Sequence, residues 1–265
     1  VSKKVAIIVV ATNYYFLLGL RLLNKWSKLY NGNLDITFHF VSDYDPTEYL
    51  SINNLVFHNV ESVEDWTHNS MLRIHKSIEL ENSNYDYIYW LDADTNINYK
   101  FKDEWFKEYT CAIHDYKMMV WMTTDAKSSS FIPFEKDLNY YQACFWGANK
   151  DIVIDACKKS LILAEYDNEI GYKPAWADEK YLNKYFYYNK PFYPVRNKSL
   201  PFKVADKGKK GVVSGIDHKP FHDMNDKEYL KLFKQVKDNK DKLWDIEDYK
   251  FVIQDINTMK WFINE

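Results

Sequence analysis

Two carboxylates, Asp92 and Asp94, stand directly behind the apolar run Tyr87-Ile88-Tyr89-Trp90-Leu91. Where a strand turns into a loop, carboxylates spaced i, i+2 can converge on one cation, and hard oxygen ligands suit Mn2+ or Mg2+. A divalent ion there neutralises a diphosphate and acts as a Lewis acid for its departure. The competing use of the same pair is a turn aspartate followed by a helix cap. Cys111-Ala112-Ile113-His114 has the spacing of half a metal site. No second Cys/His pair accompanies it, so Cys111, Cys144 and Cys157 read as ordinary buried side chains.

The elements that must position Asp92 and Asp94 follow from periodicity. Residues 5–11 (VAIIVVA) form a continuous β-branched run, as in a strand buried on both faces. Residues 16–30 have helical spacing, 35–43 form a second strand, 70–80 a second helix, and the run ending at Leu91 a third strand. Strand, helix, strand, helix, strand predicts a parallel sheet with crossover helices, and ligands bind beyond the carboxyl ends of such strands. Residues 118–124 read as a further strand. Residues 140–166 read as a strand that breaks at Gly147 and leads into a helix, and 177–189 as a helix stopped by Pro191. The expected organisation is one domain over 1–205. Residues 206–265 follow as a basic loop and amphipathic helices packed on it, with Tyr229, Phe233 and Val236 at helical spacing.

With 265 residues and 46% hydrophobic content, the chain can build one sizeable core. A formal charge of −3 gives no electrostatic case for nucleic acid or an anionic membrane. No apolar stretch approaches the roughly 20 residues that span a bilayer. The expected location is cytoplasmic, for a soluble protein of microbial or viral source; a membrane anchor upstream of these residues is the alternative. Aromatic residues, at 18%, serve either a Tyr- and Phe-rich core or the faces on which sugar rings pack. Neither the dinucleotide glycine fingerprint nor the phosphate loop of nucleotide hydrolases is present.

Four blocks together resemble glycosyltransferase family 6. That family includes the histo-blood-group A and B transferases, the α-1,3-galactosyltransferases and bacterial relatives. The most specific block is Trp176, Asp178, Glu179, Leu182, Asn183 and Lys184. The others are Trp66 with Ser70-Met71 and Arg73, the Asp92-Ala93-Asp94 segment, and Tyr140-Tyr141-Gln142-Ala143-Cys144-Phe145-Trp146-Gly147. The resemblance spans roughly residues 4–200.

The resemblance implies an α/β fold of GT-A type: a single Rossmann-like nucleotide-sugar domain with a D-x-D metal site. Its implied reaction moves galactose or N-acetylgalactosamine from UDP to a sugar hydroxyl on an oligosaccharide or glycoconjugate. Configuration is retained and an α-1,3 bond forms. By the same carry-over, Asp92 and Asp94 bind Mn2+, with Mg2+ as the alternative, and Ala93 lies against the ribose. Ala11 and Tyr14 line the uridine site, Arg73 and Asp178 contact the donor sugar, and Trp176 faces the acceptor. Glu179 is the carboxylate beneath the anomeric carbon. Gln142, Ala143 and Cys144 match the positions that separate galactose from N-acetylgalactosamine donors, and Lys207, Lys209 and Lys210 close over the diphosphate.

The chain departs from the family pattern at Ala177, where a His is usual, and at 121–130, which replaces the family's H-P-G-F-Y acceptor segment. Read without the blocks, Arg73 and Asp178 form a structural ion pair near Asp92. Two other functions compete. One is a non-catalytic sugar- or nucleotide-binding module, which needs neither the D-x-D nor Glu179. The other is a phosphatase of haloacid-dehalogenase type, for which Thr95 falls one place early and the motif about ninety residues late.

Overall fold

The computed structural model describes residues 2–13, 15–50, 52–61, 66–97, 99–113, 127–132, 139–172, 177–196, 199–200 and 202–203. The sequence expectations for 118–124 and for 206–265 lie outside the described residues.

Strand β1 (Lys4–Val10) is followed by helix α1 (Tyr15–Leu29), then β2 (Asp35–Ser42) and β3 (Leu55–Asn59). Helix α2 (Trp66–Glu79) leads into β4 (Tyr87–Leu91), short β5 (Asn96–Ile97), β6 (Tyr109–Ile113) and β7 (Tyr141–Asn149). Helices α3 (Lys150–Glu169) and α4 (Ala177–Tyr188) precede β8 (Tyr193–Arg196) and β9 (Phe202–Lys203). Seven strands form one sheet in the order β3-β2-β1-β4-β7-β6-β8, and β5 pairs with β9 separately.

The expected parallel sheet holds for β3, β2, β1 and β4. Beyond β4 the sheet is mixed, because β7 runs antiparallel to both β4 and β6. Nor does the strand break at Gly147. It continues to Asn149, with Gly147 directly opposite Tyr89. A β-carbon at Gly147 would stand 2.3 Å from the Tyr89 ring and 2.5 Å from the Ile88 carbonyl. Glycine serves close packing inside a strand here rather than a turn.

The alternation along β1 explains the layers. Val5, Ile7 and Val9 pack with α1, Phe38, Phe40, Tyr89 and Phe145 on one face. Ala6 and Ile8 pack on the other face with Ile88, Trp90, Trp146 and the inner sides of α2, α3 and α4. Both faces are covered, as the continuous apolar run required. Among the described residues, most of the large aromatics serve this core: Trp90 and Trp146 meet edge to face at 5.0 Å, a pair worth about 0.5–1.5 kcal/mol beyond burial. The indole N–H of Trp90 donates to Ser77 Oγ at 2.8 Å, which fixes α2 against β4.

Candidate functional site

β4 delivers Asp92 and Asp94 to the end of the sheet where α1 and α2 begin. The Asp92 N–H donates to the Cys144 carbonyl at 3.0 Å, extending the β4–β7 ladder by one rung. The Thr95 N–H then donates back to the Asp92 carbonyl at 3.0 Å and turns the chain. Val10, Thr12 and Tyr15 from β1 and α1, and Asn69, Ser70 and Arg73 from α2, line an open cleft with Asp92, Ala93 and Asp94.

Arg73 is the hub. Its Nη1 donates to Asp92 Oδ1 at 2.6 Å, and its Nη2 makes an ion pair with Asp178 Oδ2 at 2.6 Å. Nη1 also reaches the Ala143 carbonyl at 3.3 Å, and the guanidinium stacks 5.1 Å over the Trp90 ring. Burial works against the Arg73 charge, and Asp178 and Asp92 more than offset it, so its pKa rises above the ordinary arginine value. Arg73 and Asp178 thus form the structural pair that their types allowed. Arg73 also lines the cleft.

Glu179 sits in the first turn of α4 beside Asp178, where a helix N-terminus favours negative charge. Its Oε1 accepts the Tyr140 hydroxyl at 2.5 Å and its Oε2 accepts the Ala143 N–H at 2.9 Å. Burial pushes its pKa up to about 7, with Asp178 and Asp92 adding to the rise and the two hydrogen bonds opposing it. Burial likewise pushes Asp92 up to about 6; Arg73 pulls it down and Asp94 adds to the rise.

An irregularity in β7 makes this possible. Cys111 on β6 faces Trp146, whereas the next residue, Ala112, faces Gln142. Ala143, Cys144 and Phe145 therefore have no counterpart on β6. Released from that ladder, the Ala143 N–H binds Glu179 and its carbonyl binds Arg73. Asn183, one turn after Glu179, clamps the start of β7. Its Oδ1 accepts the Tyr141 N–H and its Nδ2 donates to the Tyr141 carbonyl, both at 2.8 Å.

The structure thus brings Arg73, Asp92, Asp94, Asp178, Glu179 and Ala143 together. Cys144 is buried, and its thiol donates to Gln142 Oε1 at 3.6 Å. Ala11 is fully buried under the β1–β2 junction, while Val10, Thr12 and Tyr15 face the cleft beside it. Tyr14, Trp176, Lys207, Lys209, Lys210 and His114 lie outside the described residues, as do the side chains of Trp66 and Ala177.

Several supporting residues escape a motif reading. Tyr140 belongs to a recognisable block, yet its hydroxyl contact with Glu179 depends on a helix 39 positions away. Lys25 and Arg21 are buried one turn apart on α1. Lys25 Nζ donates to Asn96 Oδ1 at 2.5 Å, and Arg21 Nη2 lies 3.5 Å from the Asp94 carbonyl. They brace the segment that carries Asp94. Helical periodicity gave them only as basic residues between leucines.

A divalent cation fits this donor set. Asp92 and Asp178 both pair with Arg73, and Asp94 beside Asp92 adds negative charge to what burial already does to the Asp92 carboxyl. Among the described residues, no group of three or more His, Cys, Asp or Glu side chains gathers as a metal site. Asp92 and Asp94 would be the protein's share of such a site, two carboxylates being the number with which Mg2+-type sites use substrate phosphates and water to complete their shell.

A mixed α/β sheet with paired carboxylates at a strand end, facing an acidic helix start, places the chain among sugar-transferring enzymes once the comparison of sequences is added. The model of glycosyltransferase family 6 matches residues 7–196, and the chain belongs to that family. Membership implies glycosyl transfer, with a sugar donor and an acceptor as partners. Among the described residues, no helix is long and apolar enough to cross a membrane.

Proposed function

We propose that this chain is a GT-A-type enzyme that moves galactose or N-acetylgalactosamine from UDP to a hydroxyl of an oligosaccharide or glycoconjugate. The transfer retains anomeric configuration and makes an α-1,3 bond. The observation that carries this reading is the position of Arg73 between Asp92 and Asp178, with Glu179 beside it. Residues from three separate blocks of the family pattern meet at Arg73, and two of those blocks line the cleft.

Asp92 and Asp94 would hold Mn2+, or Mg2+ in its place. When bound, the ion neutralises the departing diphosphate. Ala93, Ala11 and Tyr14 serve the nucleotide. Arg73 and Asp178 orient the donor sugar, with Gln142, Ala143 and Cys144 shaping its pocket. Glu179 places a negative charge on the face of the anomeric carbon opposite UDP. It acts there either as a covalent nucleophile or as a fixed partner of an oxocarbenium-like carbon. The ionised carboxylate is needed in both cases. Burial disfavours it, and the Tyr140 hydroxyl and Ala143 N–H offset part of that effect. Trp176 serves the acceptor and Lys207, Lys209 and Lys210 the diphosphate, on the strength of the family pattern. The catalytic domain is taken as 1–205, with 206–265 packed on it.

Turnover of UDP-galactose and UDP-N-acetylgalactosamine, with and without Mn2+, over an array of sugar acceptors tests the reading. Transfer that needs Mn2+ and falls at least about a hundredfold in Asp94→Asn supports it. Full activity in EDTA removes the metal from the account. A strong preference for UDP-glucose removes the donor assignment.

A further inference from the structure

Outside the residues that line the cleft, α3 carries a carboxylate with no place in the chemistry above. Asp167 has no solvent exposure. Its Oδ1 accepts the Ser129 N–H at 2.6 Å; its Oδ2 accepts the Ser128 hydroxyl at 2.7 Å and the Tyr181 hydroxyl at 3.2 Å. These three donors are dipoles from two other parts of the chain. A buried carboxylate is costly unless hydrogen bonds replace its water, and these three donors replace it.

Each donor leads to Glu179. Tyr181 lies two residues after Glu179 in the first turns of α4. Ser128 and Ser129 open the short segment 127–132, whose Phe131 carbonyl accepts the ammonium of Lys184 from the same face of α4. The chain then returns at Tyr140, whose hydroxyl donates to Glu179. Ser129 Oγ also donates to the Leu163 carbonyl at 2.8 Å, which ties the segment to α3.

We infer that Asp167 is a positioning residue for sugar transfer. By gathering Tyr181 and the 128–129 turn onto α3, it sets the height and rotation of the α4 start, and with it the position of the Glu179 carboxylate. The inference takes its activity readout from the proposed function.

Asp167→Ala, Asp167→Asn and Tyr181→Phe test it, assayed well below their melting temperatures. In Asp167→Ala, turnover should fall about tenfold or more while UDP affinity stays within twofold, because misplacing a reacting group by a fraction of an ångström costs rate rather than binding. Asp167→Asn should restore turnover, since its amide oxygen can accept from Ser129 and its NH2 can donate to the Ser128 and Tyr181 oxygens. Tyr181→Phe, which removes one hydroxyl, should lose about threefold or more and decides the matter if Asp167→Ala does not fold. Hydrogen exchange of the α4 amides gives a readout without turnover: faster in Asp167→Ala and Tyr181→Phe, restored in Asp167→Asn. Wild-type turnover and unchanged α4 exchange in Tyr181→Phe would overturn the inference, as would UDP affinity falling in step with turnover. A wild type that transfers no sugar refutes the functional reading instead, and the exchange measurement alone then decides the role of Asp167.

Discussion

Arg73 meets Asp178 at 2.6 Å, and the same guanidinium holds Asp92 at the end of β4. A cation on α2 thereby joins the strand end that bears the D-x-D to the helix start that bears Glu179. Asp178 is 2% exposed, and Arg73 is the cation it meets there.

Arg73→Lys should fail at this position. A single ammonium cannot span two carboxylates and stack on Trp90 as a planar fork does. Removing one partner of a buried pair costs about 3–5 kcal/mol. The lysine variant should lose a smaller part of that in stability and at least about tenfold in turnover. Denaturant titration and steady-state kinetics on one sample check both, and wild-type values in both would show that the spanning geometry is dispensable.

Tyr140→Phe removes a hydrogen bond that favours the ionised form of Glu179. The Glu179 pKa, already about 7, should rise further. If ionised Glu179 is the working form, the acid limb of the turnover profile should move to higher pH, by about one unit for a hydrogen bond of ordinary charge-assisted strength. Activity at high pH should largely recover. A profile whose acid limb stays in place would separate Tyr140 from the titration of Glu179.

A second titrating pair lies away from the cleft. His39, 5% exposed, shares Nδ1 with His58 Nε2 at 2.9 Å and Nε2 with the Tyr85 hydroxyl at 2.9 Å. Burial, then the nearby His58, lowers the His39 pKa to about 4; burial also lowers His58. The unfolded chain therefore binds a proton at His39 below about pH 6.5 that the folded chain refuses. Stability from this residue is complete above pH 6.5 and is lost as pH falls from there towards 4, by about 1 kcal/mol at pH 5.5. A His39→Gln, His58→Gln double variant should show a flatter dependence between pH 7.5 and 5.5 in denaturant titrations. An unchanged slope would contradict the assignment.

Legibility in the sequence followed the length and burial of each segment. β1, α1, β2, α2 and β4 could be read because each carries an apolar run or stripe of its own. β3, with the mostly half-exposed pattern of Leu55–Asn59, and the five-residue β6 have no such run, and pairing alone defines them. β7 was read as a strand, but its antiparallel direction is set by its pairing with β4 and β6, which periodicity does not carry. Gly147 looked like a break because glycine's use against the Tyr89 ring depends on a strand nearly sixty residues earlier. In the site, the D-x-D could be read from its apolar strand, whereas the ion pair of Arg73 with Asp178 was one of two uses their types permitted. Asp167 sits among Glu165, Asn168 and Glu169 and has the look of a solvated helix face. Its partners lie 39 and 14 positions away.

The most direct test of the whole account is Glu179→Gln, with melting temperature, UDP affinity and turnover measured on a single preparation. Glutamine can keep both hydrogen bonds, accepting from the Ala143 N–H and donating to the Tyr140 oxygen. The folded-state pKa of Glu179 lies above its unfolded value, so stability from this group is complete below about pH 4.5 and is lost as pH rises through 7. The neutral variant should therefore melt no lower than the wild type at pH 7.5. UDP affinity should be unchanged, and turnover should fall more than a hundredfold, a loss of at least about 3 kcal/mol of transition-state stabilisation. Turnover near that of the wild type in the same folded, UDP-binding sample would contradict the account and leave the transfer to Asp178 and the D-x-D carboxylates.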